Sequence, residues 1–556
     1  MNFKPSAARR IDLVLAIAAC CVPAARAMEF ETGNTDFKAR WDNTVKYSAA
    51  WRTAAFDADV AGPTAANPIP NLDDGDRNFR VRGLISNRFD LLSEFDASYR
   101  NFGLRLSGAA WYDSGYHGRN DNDSPASANA QSVPHDRFTD ATRKLQGNKA
   151  EMLDAFVSGR FAIGDSALNV RAGRFTQLYG ESLFFGGNGI AAAQAPVDIV
   201  KALAVPNSQF KEILIPVGQV SAQWQVSPSL SAAAYLQTEW RRTRLPASGS
   251  YFSFGDAFGD GAERVLFGAP LVLGGGPAAL WRSADITPRN GGQGGAALKW
   301  KAGDSEYGFY AARFHDHVPQ LYLQPGIGGV DPLSGRVGSY ALVYGQGITA
   351  YGASVSTVLG GANVAAEVSL RKNMPLNAVG NAVVDPSGTG NGSGNALFPV
   401  GRTLHAQVSA VSLLPAGALW QGASFVGELA FNRRLSVTAN ADQLDPHVTR
   451  DASALRFIFQ PEYFQVLPGL DLQVPIGVGV GLSGFSSVNG VGFPGRHAGD
   501  FSVGVKGTYG QVWQGSINYT RFFGRAAGVI DANGALTGAQ FHRDRDFIAL
   551  AVQRTF

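Results

Sequence analysis

Residues 37–52 read FKARWDNTVKYSAAWR, and this stretch alternates from end to end. Its odd positions are apolar (Phe37, Ala39, Trp41, Val45, Tyr47, Ala49, Trp51) with Asn43 the one polar member. Its even positions are polar or charged (Lys38, Arg40, Asp42, Thr44, Lys46, Ser48, Arg52) with Ala50 the one apolar member. Successive side chains of a strand point to opposite faces, so the segment has one apolar and one charged face. Strands of soluble proteins run about 5–6 residues, too few for this segment. A tilted strand that crosses a bilayer needs roughly 9–11 residues plus whatever projects beyond it. The pattern predicts a strand of an outer-membrane barrel, with lipid outside and water inside.

Both ends of the chain agree with that reading. Lys4, Arg9 and Arg10 precede an apolar run from Leu13 to Val22, and Ala25-Arg26-Ala27 forms a small-x-small cleavage site. Residues 1–27 are therefore expected to be a secretory signal peptide, and residues 28–556 the barrel. A lipoprotein site at Ile17–Cys20 competes less well than the downstream Ala-x-Ala. A twin-arginine reading of Arg9-Arg10 fails because that route carries folded cargo. Loss of the leader removes both cysteines, Cys20 and Cys21, and with them any disulfide or thiolate metal site. It also removes Lys4, Arg9, Arg10, Arg26 and Asp12, which turns 48 basic and 45 acidic residues into 44 of each. The basic excess belongs to the leader, and nothing points to a nucleic-acid partner. At the C-terminus Ile548, Leu550, Val552 and the terminal Phe556 share one face, a pattern that resembles the signal read by barrel-assembly machinery. Arg554 interrupts it.

Period-two runs recur along the chain in a strand, tight turn, strand, long loop unit. In the hairpin 88–112, Phe89, Leu91, Phe95, Ala97 and Tyr99 oppose Arg88, Asp90, Glu94, Asp96 and Arg100. Short turns fall near residues 100–103, 164–166, 227–229, 302–305, 360–361, 415–419, 467–470 and 509–511. Long Gly-rich polar stretches separate them, near 53–80, 113–148, 175–210, 241–293, 315–338, 373–401, 434–451, 483–498 and 524–544. Eight turns and nine loops join eighteen antiparallel strands, within a range of 14–18. Both termini then lie in the periplasm, with short turns there and long loops outside. A large soluble secreted β protein is the rival reading, and it needs neither aromatic residues at both strand ends nor an aromatic C-terminus.

Three segments carry a resemblance: residues 173–217 (GRFTQLYGESLFFGGNGIAAAQAPVDIVKALAVPNSQFKEILIPV), 239–256 (EWRRTRLPASGSYFSFGD) and 367–376 (EVSLRKNMPL). With the leader and the last strand they resemble the Gram-negative outer-membrane family catalogued as domain of unknown function thirteen-oh-two. The resemblance implies an outer-membrane barrel. It also implies, from the usual gene surroundings of the family, a periplasmic carrier protein and RND-type transporter as partners and a hydrophobic small molecule as cargo. It assigns no site residues.

Residues 190–203 break the alternation. Ala191–Ala193 lead to Pro196 at a helix N1 position, followed by Val197, Ile199, Val200 and Leu203 at helical spacing. A short helix near 196–203 is expected, folded into the lumen, because Leu178, Phe184, Phe185 and Ile190 would otherwise be exposed apolar surface. Arg174 and Glu181 flank the segment and could pair or hold a polar head group. These six residues are the candidate binding residues. The segment is either a constriction and greasy rest site or a plug that stiffens the barrel.

Other chemistry is thin. Gly164-Asp165-Ser166-Ala167-Leu168 has Ala where a Gly-Asp-Ser-Leu hydrolase motif has Leu, and it reads as a turn. Gly180-Glu181-Ser182-Leu183 meets Phe184 where a nucleophile elbow needs Gly. His315 and His317 lack a third ligand nearby and read as solvated loop histidines. Residues 119–123 lack the glycine and glutamate of a calcium loop and read as a flexible polar loop. The lumen-facing charges are expected chiefly to pair with one another, or else to form an arginine track for carboxylates. No cofactor or metal is expected. The favoured reading is a non-enzymatic channel for hydrophobic or amphipathic solutes such as lipid, steroid, hydrocarbon or aromatic acid. A barrel hydrolase and an assembly or lipid-export module docking a periplasmic partner are the alternatives.

Overall fold

The alternating segment forms one strand, Phe37–Arg52, and its two edges find partners at opposite ends of the chain. Residues Phe37–Trp51 pair antiparallel with the Leu84–Tyr99 strand. Residues Thr44–Arg52 pair antiparallel with Phe547–Thr555, so the sheet closes on itself. Backbone groups left unpaired in hydrocarbon cost several kcal/mol each, and closure leaves no edge. The computed structural model describes residues 28–556 apart from 31–32, 64–68, 206–209, 271–276, 489 and 491. The leader read at 1–27, with Cys20 and Cys21, lies outside the described residues.

The barrel has eighteen strands, the upper end of the expected range. Between the first and last lie Leu84–Tyr99, Phe102–Asp113, Asn148–Ile163, Ser166–Phe175, Val217–Ser227, Leu230–Gln237, Gln293–Ala302, Ser305–Phe314, Ile348–Leu359, Ala362–Pro375, Val400–Leu414, Gly422–Ala439, Asp451–Leu467, Gly499–Tyr509 and Trp513–Phe523. One further strand is interrupted, as Leu470–Gln473 and Ile476–Ser483. The break falls at Val474-Pro475, where the Val474 N–H donates to the Pro461 carbonyl (2.9 Å) and the ladder then resumes. All eight short turns sit where the sequence placed them. Gly360-Gly361 shows why: φ is 57° and 83°, the pair of left-handed residues that a two-residue hairpin matching the strand twist requires.

Trp41, Val45, Phe89, Leu104 and Leu106 are exposed on the outer face at 36–42%. Phe95, Phe501 and Val503 are partly covered by neighbours on that face. The polar interruptions are accommodated there. Trp41 Nε1 donates to Ser93 Oγ (2.8 Å). Arg554 lays its guanidinium over the Trp513 and Phe556 rings, 5.1 and 4.7 Å from their centroids. An aromatic belt at the membrane interface is where such a charge is tolerated. A closed barrel with this outer face belongs in the outer membrane.

The long loops are not all outside. A second, mixed sheet of five strands (Arg264–Pro270, Pro277–Arg282, Gln320–Pro325, Arg336–Val343, Ala382–Val384) is built from loop segments, and nothing in the alternation foretold it. Loop residues Phe79, Tyr116, Phe138 and Tyr251 meet the strand-end residues Phe522 and Phe547 in an aromatic core. Beside it Arg52 and Arg545, each 2% exposed, converge on Asp76. Arg545 Nε and Nη2 donate to its two oxygens (2.6 and 2.7 Å), and Arg52 Nη2 to Oδ1 (2.9 Å) and to Asp544 (3.1 Å). The stretch expected to be a flexible polar loop is built into this region: Asn122 donates to Asp74 and Asn78, and Asp123 pairs with Arg77.

Burial alone would raise the Asp76 carboxyl, but Arg545 and Arg52 hold it below the usual range. Among the described residues no cation forms an ion pair with Asp256. Burial, with Asp74 and Asp73 beside it, pushes its carboxyl well above the usual range. A raised carboxyl contributes full stability below about pH 4, where the unfolded chain is also protonated, and loses it as pH climbs through the raised value. Asp256→Asn is therefore expected to raise the melting temperature relative to the native chain at pH 8 and to leave it unchanged at pH 4. Calorimetry of the two proteins in matched micelles checks this, and a pH-independent difference refutes it. Arg545→Met, which leaves Asp76 short of a buried partner, is expected to cost about 3–5 kcal/mol, read as a lower temperature for loss of the compact band in heat-modifiability gels.

Candidate functional site: a loop locked across the lumen

The segment between the strands Ser166–Phe175 and Val217–Ser227 folds into the barrel. It contains a 3-10 turn, Ile190–Ala193, and a helix, Ile199–Ala204. The expected helix start is corrected by three residues. Asp198, not the residue before Pro196, is the N-cap and accepts from the Lys201 N–H. Pro196 and Val197 are extended instead: the Pro196 carbonyl accepts from the Ile215 N–H (2.9 Å), and Val197 bridges Leu214.

What holds the loop is a set of charged and polar side chains on the lumen face of strands more than 170 residues later. Glu428 Oε2 accepts the N–H groups of Leu183, Phe184 and Phe185 (3.2, 2.5 and 2.8 Å). Glu367 accepts those of Glu181 (2.8 Å) and Ile190 (2.5 Å). Arg371 Nη2 donates to the carbonyls of Gly187, Asn188 and Gly189 (3.0, 2.9 and 2.7 Å). Asn188 inserts between two strands, donating to the carbonyls of Ala406 and Phe431, while its oxygen meets His405 Nδ1 (3.0 Å). Buried polar backbone must be paired, and this loop's is paired by the opposite wall. The fit is tight enough that at Gly189 a Cβ would stand 2.2 Å from Ser182 Oγ and 2.8 Å from Glu367 Oε1.

The six candidate binding residues divide once placed in the fold. Ile190 and Phe185 are buried at 1% and 6%. Ile190 packs with Tyr179, Tyr235, Tyr310 and Met374, and Phe185 with Ala430 and Ala454 on the wall. Phe184 is half-buried beside Phe185. Glu181 faces the lumen: its Oε1 accepts from Ser354 Oγ (3.4 Å) and lies 3.9 Å from Lys299 Nζ. Leu178 departs from expectation at 37% exposed, because its neighbour Tyr179 takes the inward place against Tyr235 and Tyr310. Arg174 forms a pair, with Glu239 in place of Glu181. It precedes the buried Phe175 and so lies on the other face of the strand, where it pairs with Glu239 (2.9 Å). Sequence reasoning missed Glu367, Arg371, His405 and Glu428. The available signal was a charge recurring on the lumen face of strands that otherwise carry Ser, Thr and Gln there.

Two spaces flank the locked loop. On the periplasmic side is a chamber of about 430 Å³, with Glu181 and Leu183 as its roof and Ser356, Val358, Asn363, Ala365, Ser409 and Val411 on the wall. On the extracellular side a cleft of about 380 Å³ opens among Leu145, Ile215, Trp240–Leu245, Asp260, Asp285 and Tyr344. Wall charges away from the loop pair with each other: Arg105 with Glu94 and Asp96, Arg88 with Asp90. His315 and His317 are not solvated as expected but buried at 1% and 7%. His315 Nδ1 accepts from the Gly347 N–H (3.0 Å), and His317 Nδ1 meets the Arg241 carbonyl (2.7 Å). Burial holds the His317 imidazole down at about 4. Ser166 sits at its turn, donating to the Ile163 carbonyl. A hydroxyl does meet a histidine at Thr403 and His405 (2.8 Å), but both are within 1% of full burial and serve the Asn188 anchor.

No curated protein matches the sequence. Among solved structures the chain is similar to Acinetobacter baumannii OccAB4, at 10% identity over 95% of this chain and 100% of that one, TM-score 0.40. It is similar to Pseudomonas aeruginosa OpdK crystallised with vanillate, at 11% identity over 93% and 98%, TM-score 0.40. A BenF-like porin from Pseudomonas fluorescens Pf-5 gives 9% identity over 93% and 98%, TM-score 0.40. The family model described as "Protein of unknown function (DUF1302)" matches residues 9–556, nearly the whole sequence, and the chain belongs to that family.

Proposed function

We propose that this barrel conducts hydrophobic or amphipathic organic solutes across the outer membrane, through the lumen that the 176–216 loop constricts. The observation that carries the reading is an apolar stripe on the lumen wall below that loop. Val411 and Val426 are cross-strand partners, and Val426 pairs in turn with Ile458. They share the lumen face with Ser409 and Glu428, both of which reach the loop. Leu413 continues the stripe at 81% exposed, and Val358, on the face of Ser354 and Ser356, stands 58% exposed. A water-filled pore is ordinarily lined by polar side chains. Exposed apolar residues there cost free energy that an apolar solute would recover as it covers them. Across the barrel the first strands present Lys46, Asp90, Arg88 and Glu94, so the two walls would suit the two ends of an amphipathic molecule. On this reading the cargo passes to or from a periplasmic carrier and an RND-type transporter.

Uptake of labelled steroid, fatty acid and aromatic acid into liposomes holding the folded barrel tests the proposal, which fails if no class enters. Leu413→Asn and Val358→Asn are expected to slow apolar solutes roughly five- to tenfold each, from about 1–1.5 kcal/mol of lost contact, while leaving ionic conductance unchanged. Glu428→Ala, which strips three N–H groups of their acceptor, is expected to raise conductance and solute flux together in planar bilayers. Replacing Phe184 and Phe185 with Ala should change solute flux and leave the heat-modifiable band intact.

A further inference from the structure

The extracellular cleft has an uneven charge pattern. Its strap, residues 239–244, carries Arg241, Arg242 and Arg244 in close succession. Arg242 is matched by Asp260 and by Asp285 (3.1 Å). Arg244 is matched by Glu151 (2.5 Å) and Asp198 (2.6 Å), the latter in the lumen loop. Arg241 lines the same cleft and makes no ion pair among the described residues; Glu239, the carboxylate that acts on it most strongly, is itself paired with Arg174 (2.9 Å). Its Nη1 donates to the Pro216 carbonyl (2.9 Å), which fixes one side of the guanidinium. Its backbone is fixed too. His317 Nδ1 meets the Arg241 carbonyl, the Thr243 N–H donates to the His317 carbonyl (2.9 Å), and Trp240 Nε1 donates to the Asp316 carbonyl (3.2 Å). The guanidinium is thus held on a rigid strap, with Trp240, Leu245 and Tyr344 as apolar surface around it.

We infer that Arg241 is the head-group site for a hydrophobic carboxylate, received in this cleft before the solute meets the constriction. This rests on the channel reading above and names its solute class. A guanidinium offers a planar fork that matches a carboxylate with two parallel hydrogen bonds, and an apolar surround strengthens such a bond. A cation would face the opposite situation, since Asp260 and Asp285 are already engaged by Arg242. The strap also joins the cleft to the loop. The Arg244 N–H donates to the Val197 carbonyl (2.9 Å), and the Ile199 N–H donates to the Arg244 carbonyl (2.9 Å). The receiving site and the constriction therefore share one hydrogen-bonded strip.

The test pairs two molecules of equal shape, cyclohexanecarboxylate and cyclohexanecarboxamide, titrated by calorimetry into the folded barrel in lipid nanodiscs. The carboxylate is expected to bind at least about tenfold tighter than the amide, with the preference shrinking at high salt. Arg241→Gln is expected to erase the preference, and Arg241→Lys to keep part of it, since a point charge remains without the fork. Equal binding of the two molecules to the native barrel, or an unchanged preference in Arg241→Gln, overturns the inference. Liposome uptake of the amide is read separately because it does not engage the charge. Its absence would count against the channel, while the binding comparison still decides on Arg241.

Discussion

Hydrocarbon offers backbone groups no partner, and nearly every feature of this molecule descends from that constraint. It forces the sheet to close, so Thr44–Arg52 must meet Phe547–Thr555 across the whole length of the chain. Closure fixes the register of the first and last strands, and register decides which side chains see lipid, because a one-residue slip would exchange the faces. The Asn43 N–H bonding to the Phe556 carbonyl (3.1 Å) carries the ladder to the last residue. The same constraint explains how Pro461 and Pro475 are tolerated in adjacent strands. The ladder shifts around them, and the Gly504 N–H donates to the Pro475 carbonyl (3.1 Å).

A barrel this wide encloses more space than its wall residues can fill, and the chain fills much of it with loops. The filling is of two kinds. Near the seam it is aromatic, with Arg52, Arg545 and Asp76 tying the first and last strands to the same core. Across the barrel it is a single loop whose backbone is held by Glu367, Arg371 and Glu428. Between these lie the two spaces, one beneath the loop whose wall mixes Val358 and Val411 with polar side chains, and one above it lined by Arg241.

Strands and turns were legible in the sequence because period-two alternation and Gly-rich turns are local signals. The strand 37–52 and the turn at Gly360-Gly361 needed no knowledge of the rest of the chain. The lumen loop was legible for the same reason, since Pro196 and the helical spacing of Val197, Ile199, Val200 and Leu203 break the period of two that a membrane strand keeps. Its anchors were not. Glu428 looks like any lumen-facing charge until the loop arrives from 243 residues away. Leu178 was misplaced because its orientation turns on a single residue beyond the strand end, where Tyr179 wins the inward position. His315 and His317 seemed loop histidines, but loops that fold inward bury what they carry.

The anchoring of the lumen loop also bears on how the barrel matures. Its partners Glu367 and Glu428 lie 177 to 245 residues downstream of the groups they bind. Contacts of such sequence separation are slow to form, because a long stretch of chain must be ordered before they add stability. The constriction is complete only when the strands that carry Glu367, Arg371 and Glu428 are in place.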